Sequence, residues 1–368
     1  MDKNKVEQLI GKLENIQGMK ASISAVAGFD GFIDIITRPI ASGCSATVKS
    51  YYNDISEFAS FISQRAGSSS SIELVELSRK IGGNAPIFAN ALGRLGVFTT
   101  CIGAFGYPEQ ELIFEDISEN CNIISVAKPG TCTALEFNDG KIMLASNGEI
   151  NTMNWEMIVQ RAGLDRIRTV FGKSQLIGLF NWSETPMADD IWNGILTDIL
   201  PFVGKDKRIL FDFSDCARRN KNEIFNMLNI VSRFGQKVST TVSMNENEAI
   251  AALEALGILG SGQLEESGEI LRQRLSAEHI IWHFSDSTIA FSKDGMHRFG
   301  IYKIKYPLLT TGAGDNFNAG LGFGLLSGLS LDDAVITASM TASYYVANGS
   351  SPVISELIAF MGNCIPFI

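Results

Sequence analysis

Along most of this chain, short apolar runs that read as buried strands alternate with segments that read as helices. That alternation limits the possible folds more than any other feature. The strand-like pieces are SISAVAGF (22–29), VFTTCIGAF (97–105), SQLIGLFNW (174–182), RILFDF (208–213), TTVSMN (240–245), HIIWHF (279–284) and STIAFS (287–292). Between them, 87–96, 187–200, 221–234 and 246–257 read as helices. Strands joined by helical crossovers pair in parallel and need cover on both faces. The expected class is therefore α/β, with a mainly parallel sheet between helical layers.

Two regions break the pattern. Residues 34–50 are of mixed polarity, and 121–146 read as antiparallel strands around the turn sequence NDG. Together they are expected to form a small sheet standing off the main one. A short insertion with four consecutive serines (66–73) reads as flexible, and 54–64 reads as an extra helix. No Pro- or Ser-rich linker divides the chain and no internal repeat is visible, so 1–368 is expected to form a single α/β domain. At the end, Ser330 followed by Asp333 resembles a capping box that opens a small-residue helix.

The net charge of −10 and the lack of any Lys/Arg run exclude an extended nucleic-acid face. The first twenty residues place Val6, Leu9, Ile10, Leu13 and Ile16 at helical spacing, as in an amphipathic surface helix and unlike a signal peptide. No uninterrupted apolar stretch of about twenty residues occurs, so no membrane partner is expected and the location is expected to be cytoplasmic. The six cysteines form no CxxC pair and read as reduced thiols. His279, His283 and His297 follow no metal-ligand spacing and read as structural.

The stretch TTGAGDNFNAG (310–320) lies before an apolar helix. Glycines at such a junction let a ligand approach the backbone, and a helix N-terminus with convergent amides suits an anion such as phosphate. Neither a P-loop nor a dinucleotide fingerprint is present: Ile167 stands where a P-loop ending in GKS (172–174) would need its first glycine. The loop has no lysine and carries Asp315 instead. A carboxylate beside phosphate costs Coulomb energy, and proton removal from an attacking hydroxyl would justify it. Helix capping alone would place an aspartate there as well.

TTGAGDNFNAGLGFGLLSGL resembles the C-terminal signature of the ribokinase-like (PfkB-type) carbohydrate kinases. GGNAPIFANALGRLG (82–96), IGAFG (102–106), FDFSDCARRN (211–220) and NENE (245–248) resemble the family's other segments, in the family's order. The resemblance implies a three-layer α/β/α sandwich with a small β lid formed from about 34–50 and 121–146. It implies a kinase that moves the γ-phosphoryl group of ATP, with Mg²⁺, onto a hydroxyl of a sugar or sugar-like alcohol. Asp315 would be the base, and Gly312, Ala313 and Gly314 the anion hole. Asn245 and Glu248 would act near Mg²⁺, Glu248 mostly through water. Thr311, Asn348 and Gly349 would adjoin the nucleotide. Asp34 or Asp30 would hold the sugar, with Gly82, Gly83 and Asn84 beside it. A nucleoside kinase on the same fold would need a slot for the base, for which Phe29, Phe32, Phe105 and Trp182 are available. A non-catalytic sensor would not need Asp315.

The departures from the family pattern are Ile87 for an asparagine, Pro108 for an acid, and WHFSD (282–286) for the run beside the nucleotide. Leu309 for an aspartate argues against a bound monovalent cation such as potassium. A homodimer through the lid is a further expectation.

Overall fold

The computed structural model describes residues 2–17, 23–42, 50–258 and 264–367. Fourteen strands among them, β1 to β14 in chain order, form two sheets. The large sheet contains β1 (Ser24–Phe29), β5 (Phe98–Ala104), β6 (Cys121–Ala127), β9 (Leu176–Leu179), β10 (Arg208–Asp212), β11 (Ser239–Met244), β12 (His279–His283), β13 (Ser287–Ser292) and β14 (Gly295–Gly300). Its order is β14-β13-β12-β11-β10-β9-β1-β5-β6. Every pair from β12 to β6 is parallel, and β13 and β14 close one side as an antiparallel hairpin. The central strands are buried almost without interruption, as a sheet covered on both faces requires.

Each face carries its own apolar core. One joins Ile177, Ile209 and Val242 of the sheet to helices Trp155–Ala162, Leu164–Lys173, Ala188–Gly194, Lys221–Gly235 and Glu246–Ala255. The other joins Ala25, Leu176 and Leu210 to helices Lys3–Gln17, Asn84–Arg94, Ala313–Leu326, Leu331–Asn348 and Ile354–Cys364. The expected three layers are therefore present. Val6, Leu9 and Leu13 bury the inner face of the N-terminal helix, and Ser330 caps its helix by accepting from the Asp333 amide (3.2 Å). Cys101, Cys121, Cys132, Cys216 and Cys364 are free thiols, and Cys44 lies outside the described residues.

The small sheet is built from β2 (Phe32–Ser42), β3 (Ser50–Tyr51), β4 (Leu74–Gly82), β7 (Gly130–Glu136) and β8 (Lys141–Ser146). Its path is β3-β2-β7-β8, with β4 also paired to β2. Its membership differs from the sequence expectation. Residues 121–127 pair in parallel with β5 and belong to the edge of the large sheet. Residues 74–82 belong to the small sheet although their sequence, LVELSRKIG, has no clear alternation. Residues 43–49 of the expected lid lie outside the described residues.

Helices Ala313–Leu326 and Leu331–Asn348 approach closely through small residues. A Cβ added at Gly320 would lie 2.8 Å from Ala338 Cα and 2.6 Å from Thr341 Oγ1. Gly320→Ala gains helix propensity of about 1 kcal/mol but overpacks a backbone contact, at a cost of roughly 1–3 kcal/mol. The expected result is a lower urea midpoint with an unchanged slope. A raised midpoint would show that the two helices separate at little cost.

Candidate active site

Four neighbouring strands end at the same edge of the large sheet, each followed by polar residues. Beyond β1 comes Asp30, beyond β9 comes Asn181, β10 ends on Asp212, and beyond β11 comes Asn245. Helix Ala313–Leu326 begins with the glycine loop and carries Asp315 in its first turn. Ligands of open α/β sheets bind at this edge, where loops meet helix N-termini.

The two candidate sugar carboxylates differ sharply. Asp30 is fully buried and accepts from the Asn84 amide (2.8 Å), the Ala85 amide (2.8 Å) and Asn181 Nδ2 (2.6 Å). It caps helix Asn84–Arg94 and ties that helix to the end of β9. Asp34, 5% exposed on β2, accepts no hydrogen bond among the described residues. Burial raises its pKa, and the cations Lys80 and Lys141 pull it back down. The paired glycines make room for these two carboxylates. A Cβ at Gly82 would lie 2.3 Å from Asp34 Oδ1, and one at Gly83 would lie 2.8 Å from Asp30 Oδ2. Gly83 also has φ 94°, a conformation that L side chains avoid.

Gly312 caps helix Ala313–Leu326 with φ 91°, and a Cβ there would meet Tyr345 Oη at 2.8 Å. The Tyr345 hydroxyl donates to the Thr311 carbonyl (2.9 Å), and Lys141 Nζ donates to Thr311 Oγ1. The Ala313 amide turns back to the Thr310 carbonyl (3.1 Å). That leaves the amides of Gly312, Gly314 and Asp315 without a backbone acceptor among the described residues. Of the three amides expected to form an anion hole, that of Ala313 already has a backbone acceptor. A Cβ at Gly314 would meet nothing closer than His283 Cε1 at 3.9 Å, so its face is open.

Asp315 is 6% exposed, and its Oδ1 has no partner. Burial pushes its pKa well up, the Asp212 and Asp30 charges push it further, and the Asn84 side chain opposes the rise. Asp212 is fixed by Asn318 Nδ2 (2.6 Å) and the Ser214 amide (3.0 Å). Burial, opposed by those bonds, raises its pKa too. Asn318 lies one turn beyond Asp315 on the same helix. Buried polar atoms without partners gather here: Asn181 Oδ1, His283 Nε2, Asp315 Oδ1 and Asn318 Oδ1. Buried polar groups are normally paired, so this grouping marks a place built for a ligand.

Asn245 and Glu248 cap helix Glu246–Ala255 reciprocally: the Glu248 amide donates to Asn245 Oδ1 (3.0 Å) and the Asn245 amide to Glu248 Oε2 (3.1 Å). Burial, and next the Asp212 charge, pushes the Glu248 pKa well up. Among the described residues no group of three or more acidic, His or Cys side chains is disposed to hold a metal directly. The buried carboxylate oxygens of Asp212 and Glu248 are nevertheless the donor type that suits Mg²⁺ keeping its own water shell.

A cavity of about 460 Å³ adjoins Ala313 and Gly314, lined by His283, Phe284, Ile301, Tyr302, Phe317, Ala342 and Val346 among others. Burial lowers the His283 pKa to about 4, so its imidazole is neutral at pH 7. Asn348 does not line the cavity, and its amide donates to the Tyr344 carbonyl (2.9 Å). Gly349 lines a separate cavity of about 330 Å³. Ala342, Ser343 and Val346, earlier on the same helix, line the larger cavity. The sequence reading assigned no role to Asp212, Asn181, Asn318, Tyr345 or Lys141. Asp212 was visible only as part of the FDFSDCARRN match.

The prokaryotic ketohexokinase family model matches residues 3–364. The chain belongs to that family. It is therefore a carbohydrate kinase, a phosphotransferase with an alcohol group as acceptor. A ketohexokinase of Haloferax volcanii is 27% identical over 343 residues, covering 92% of this chain and 91% of that protein. A 5-dehydro-2-deoxygluconokinase of Bacillus cereus is 33% identical over 106 residues, covering 26% of this chain and 32% of that protein. Thermotoga maritima ribokinase shares the fold at TM-score 0.65 and 17% identity, covering 93% of this chain and all (100%) of that one. Sinorhizobium meliloti adenosine kinase shares it at TM-score 0.66 and 17% identity, covering 94% and 100%. Among the described residues no helix is long and apolar enough to cross a membrane.

The raised pKa of Asp315 has a consequence for stability. A carboxylate whose folded pKa exceeds its unfolded value binds its proton more tightly when folded, so it favours the fold at low pH. That contribution is lost as pH rises from the unfolded value of about 3.9 towards the raised folded value. Asp315→Asn is expected to be more resistant to urea than the parent at about pH 8, with the advantage shrinking towards about pH 4. Equal destabilisation at every pH would show that Asp315 is not held at a desolvation cost.

Proposed function

We propose that the protein is an ATP-dependent ketohexokinase, in which Asp315 takes the proton of a sugar hydroxyl as that hydroxyl attacks the γ-phosphorus. The observation that carries this reading is the unpartnered Asp315 Oδ1 beside the free loop amides, with the unpartnered carboxylate of Asp34 in the same electrostatic neighbourhood. The new O–P bond forms as the bond to the leaving ADP oxygen breaks, and the hydroxyl proton passes to Asp315. Its raised pKa makes Asp315 a stronger base than an exposed aspartate. The amides of Gly312, Gly314 and Asp315, with the helix dipole behind them, stabilise the phosphoryl charge.

Asp34 is free to accept hydrogen bonds from neighbouring sugar hydroxyls, whereas Asp30 is committed to the helix cap. The apolar cavity beside Gly314 takes the nucleotide base. Glu248 and Asp212 would hold Mg²⁺, which would neutralise phosphate charge there. The small sheet serves as a lid that excludes water. Leu74, Leu77, Met143 and Leu144 leave apolar surface exposed on it, which suits pairing with a second copy. The aromatics that a nucleoside kinase could have used, Phe29, Phe32, Phe105 and Trp182, are instead buried in the cores.

ADP release with MgATP against ketohexoses, aldohexoses, sugar acids and nucleosides tests the reading. Ketohexoses are expected to stimulate release, and Asp315→Asn to lose about 10²–10⁴-fold in rate. Stimulation by another class alone would remove the ketohexose assignment, and full turnover in the folded variant would remove Asp315 as base. Asp34→Ala is expected to weaken sugar binding far more than ATP binding by calorimetry. Untouched sugar affinity would move the sugar site elsewhere.

A further inference from the structure

The cavity of about 330 Å³ beside Gly349 is set apart by its charge. Among the described residues that line it, Arg79, Lys80 and Arg94 face a single acidic side chain, Asp116. That is an excess of two positive charges in a chain whose net charge is −10. Two separate elements bring the cations together: β4 carries Arg79 and Lys80, and helix Asn84–Arg94 ends on Arg94. Ile87 and Tyr345 form the wall towards the glycine loop. Ile87 Cγ2 lies 3.5 Å from where a Cβ on Gly312 would be, and the Tyr345 hydroxyl holds the Thr311 carbonyl (2.9 Å).

The donors of this lining are only partly used. Arg94 Nε donates to the Ser351 carbonyl and its Nη2 reaches Glu356 (3.4 Å), which leaves Nη1 without a partner among the described residues. Arg79 likewise commits Nε and Nη2 to Glu76 (3.2 and 3.0 Å). Glu76 and Glu356 stand outside the lining with side chains 47% and 43% exposed, and ion pairs so exposed are weak. Lys80 makes no hydrogen bond or ion pair among the described residues; burial lowers its pKa, and the Asp34 charge opposes that. Asn90, whose Oδ1 accepts from the Ser118 amide (2.9 Å), keeps both Nδ2 hydrogens for an occupant.

We infer that this cavity binds the phosphate ester of a small hydroxylated molecule, with the phosphoryl group among Arg79, Lys80 and Arg94 and the hydroxyls against Asn90 and Ser118. A phosphate monoester carries about −1.5 to −2 charge at pH 7. That matches the excess of the lining, whereas a carboxylate would leave one cation unmatched. Arginine forks pair with phosphoryl oxygens through two parallel bonds. Ile81, Ile87 and Ile113 add apolar wall for a carbon skeleton, which a free phosphate ion would leave unused. Asp34, Asp315 and the glycine loop do not line the cavity, so the inference stands apart from the kinase reading.

Calorimetric titration of the full-length protein with glucose 6-phosphate, gluconate and inorganic phosphate, at constant ionic strength, tests this. Glucose 6-phosphate and gluconate share a hydroxylated six-carbon chain and differ in the head group. The wild type is compared with Arg79→Met, Arg94→Met and Lys141→Met, each checked for fold by its melting midpoint. The Arg79 side chain bonds only Glu76 on its own strand, so its variant keeps the test open if Arg94→Met does not fold. Glucose 6-phosphate is expected to bind, with gluconate and inorganic phosphate about tenfold weaker or more, and each cavity variant to lose about tenfold or more in affinity for the ester. Lys141→Met, which alters the glycine loop, is expected to keep the wild-type affinity. No binding of glucose 6-phosphate, equal binding of gluconate or inorganic phosphate, or an unchanged affinity in the folded cavity variants would overturn the inference. So would a loss confined to Lys141→Met, which would put the ester at the glycine loop.

Discussion

The site depends on one expensive arrangement: several carboxylates enclosed together at the strand ends of the large sheet. Burial raises the pKa of Asp30, Asp34, Asp212, Glu248 and Asp315 alike, and each charge makes the next harder to hold. The fold offsets this cost unevenly. Asp30, Asp212 and Glu248 receive amide or amide-side-chain donors that fix them in place. Among the described residues, Asp315 Oδ1 has no partner and Asp34 accepts no hydrogen bond. The proposed grip and deprotonation of a substrate hydroxyl use these unpaired oxygens.

The backbone around these groups is arranged to admit them. Gly82 and Gly83 give up their side chains to Asp34 and Asp30, and Gly312 gives up its own to the Tyr345 hydroxyl that steadies the loop. The cations come from the small sheet: Lys80 on β4 and Lys141 on β8. Charge balance in the pocket therefore requires both sheets.

Much of this was readable in the sequence. Apolar runs of strand length alternating with helical segments gave away the large sheet, because parallel strands buried on both faces leave no polar register to confuse the eye. The glycine loop and Asp315 stood out as candidates, although helix capping alone would also place an aspartate there. The small sheet was harder. Leu74–Gly82 carries charges on both faces, so its pairing with β2 has no signature, and Cys121–Ala127 is equally apolar in either sheet. The choice between Asp30 and Asp34 needed hydrogen-bond partners that come from Asn84, Ala85 and Asn181. The contact of Lys141 with Thr311 joins residues 170 positions apart, beyond any local pattern.

The central claim is that a buried carboxylate of raised pKa, Asp315, removes the acceptor's proton. The pH dependence of kcat/KM for a ketohexose, wild type against Asp315→Asn, reports that group most directly in the free enzyme. The account predicts that wild-type activity falls on the acid side with an apparent pKa well above that of an exposed aspartate, and that the small residual rate of the variant lacks this limb. The same acid limb in both proteins, or a wild-type rate that stays level down to the ordinary carboxylate range, would contradict it.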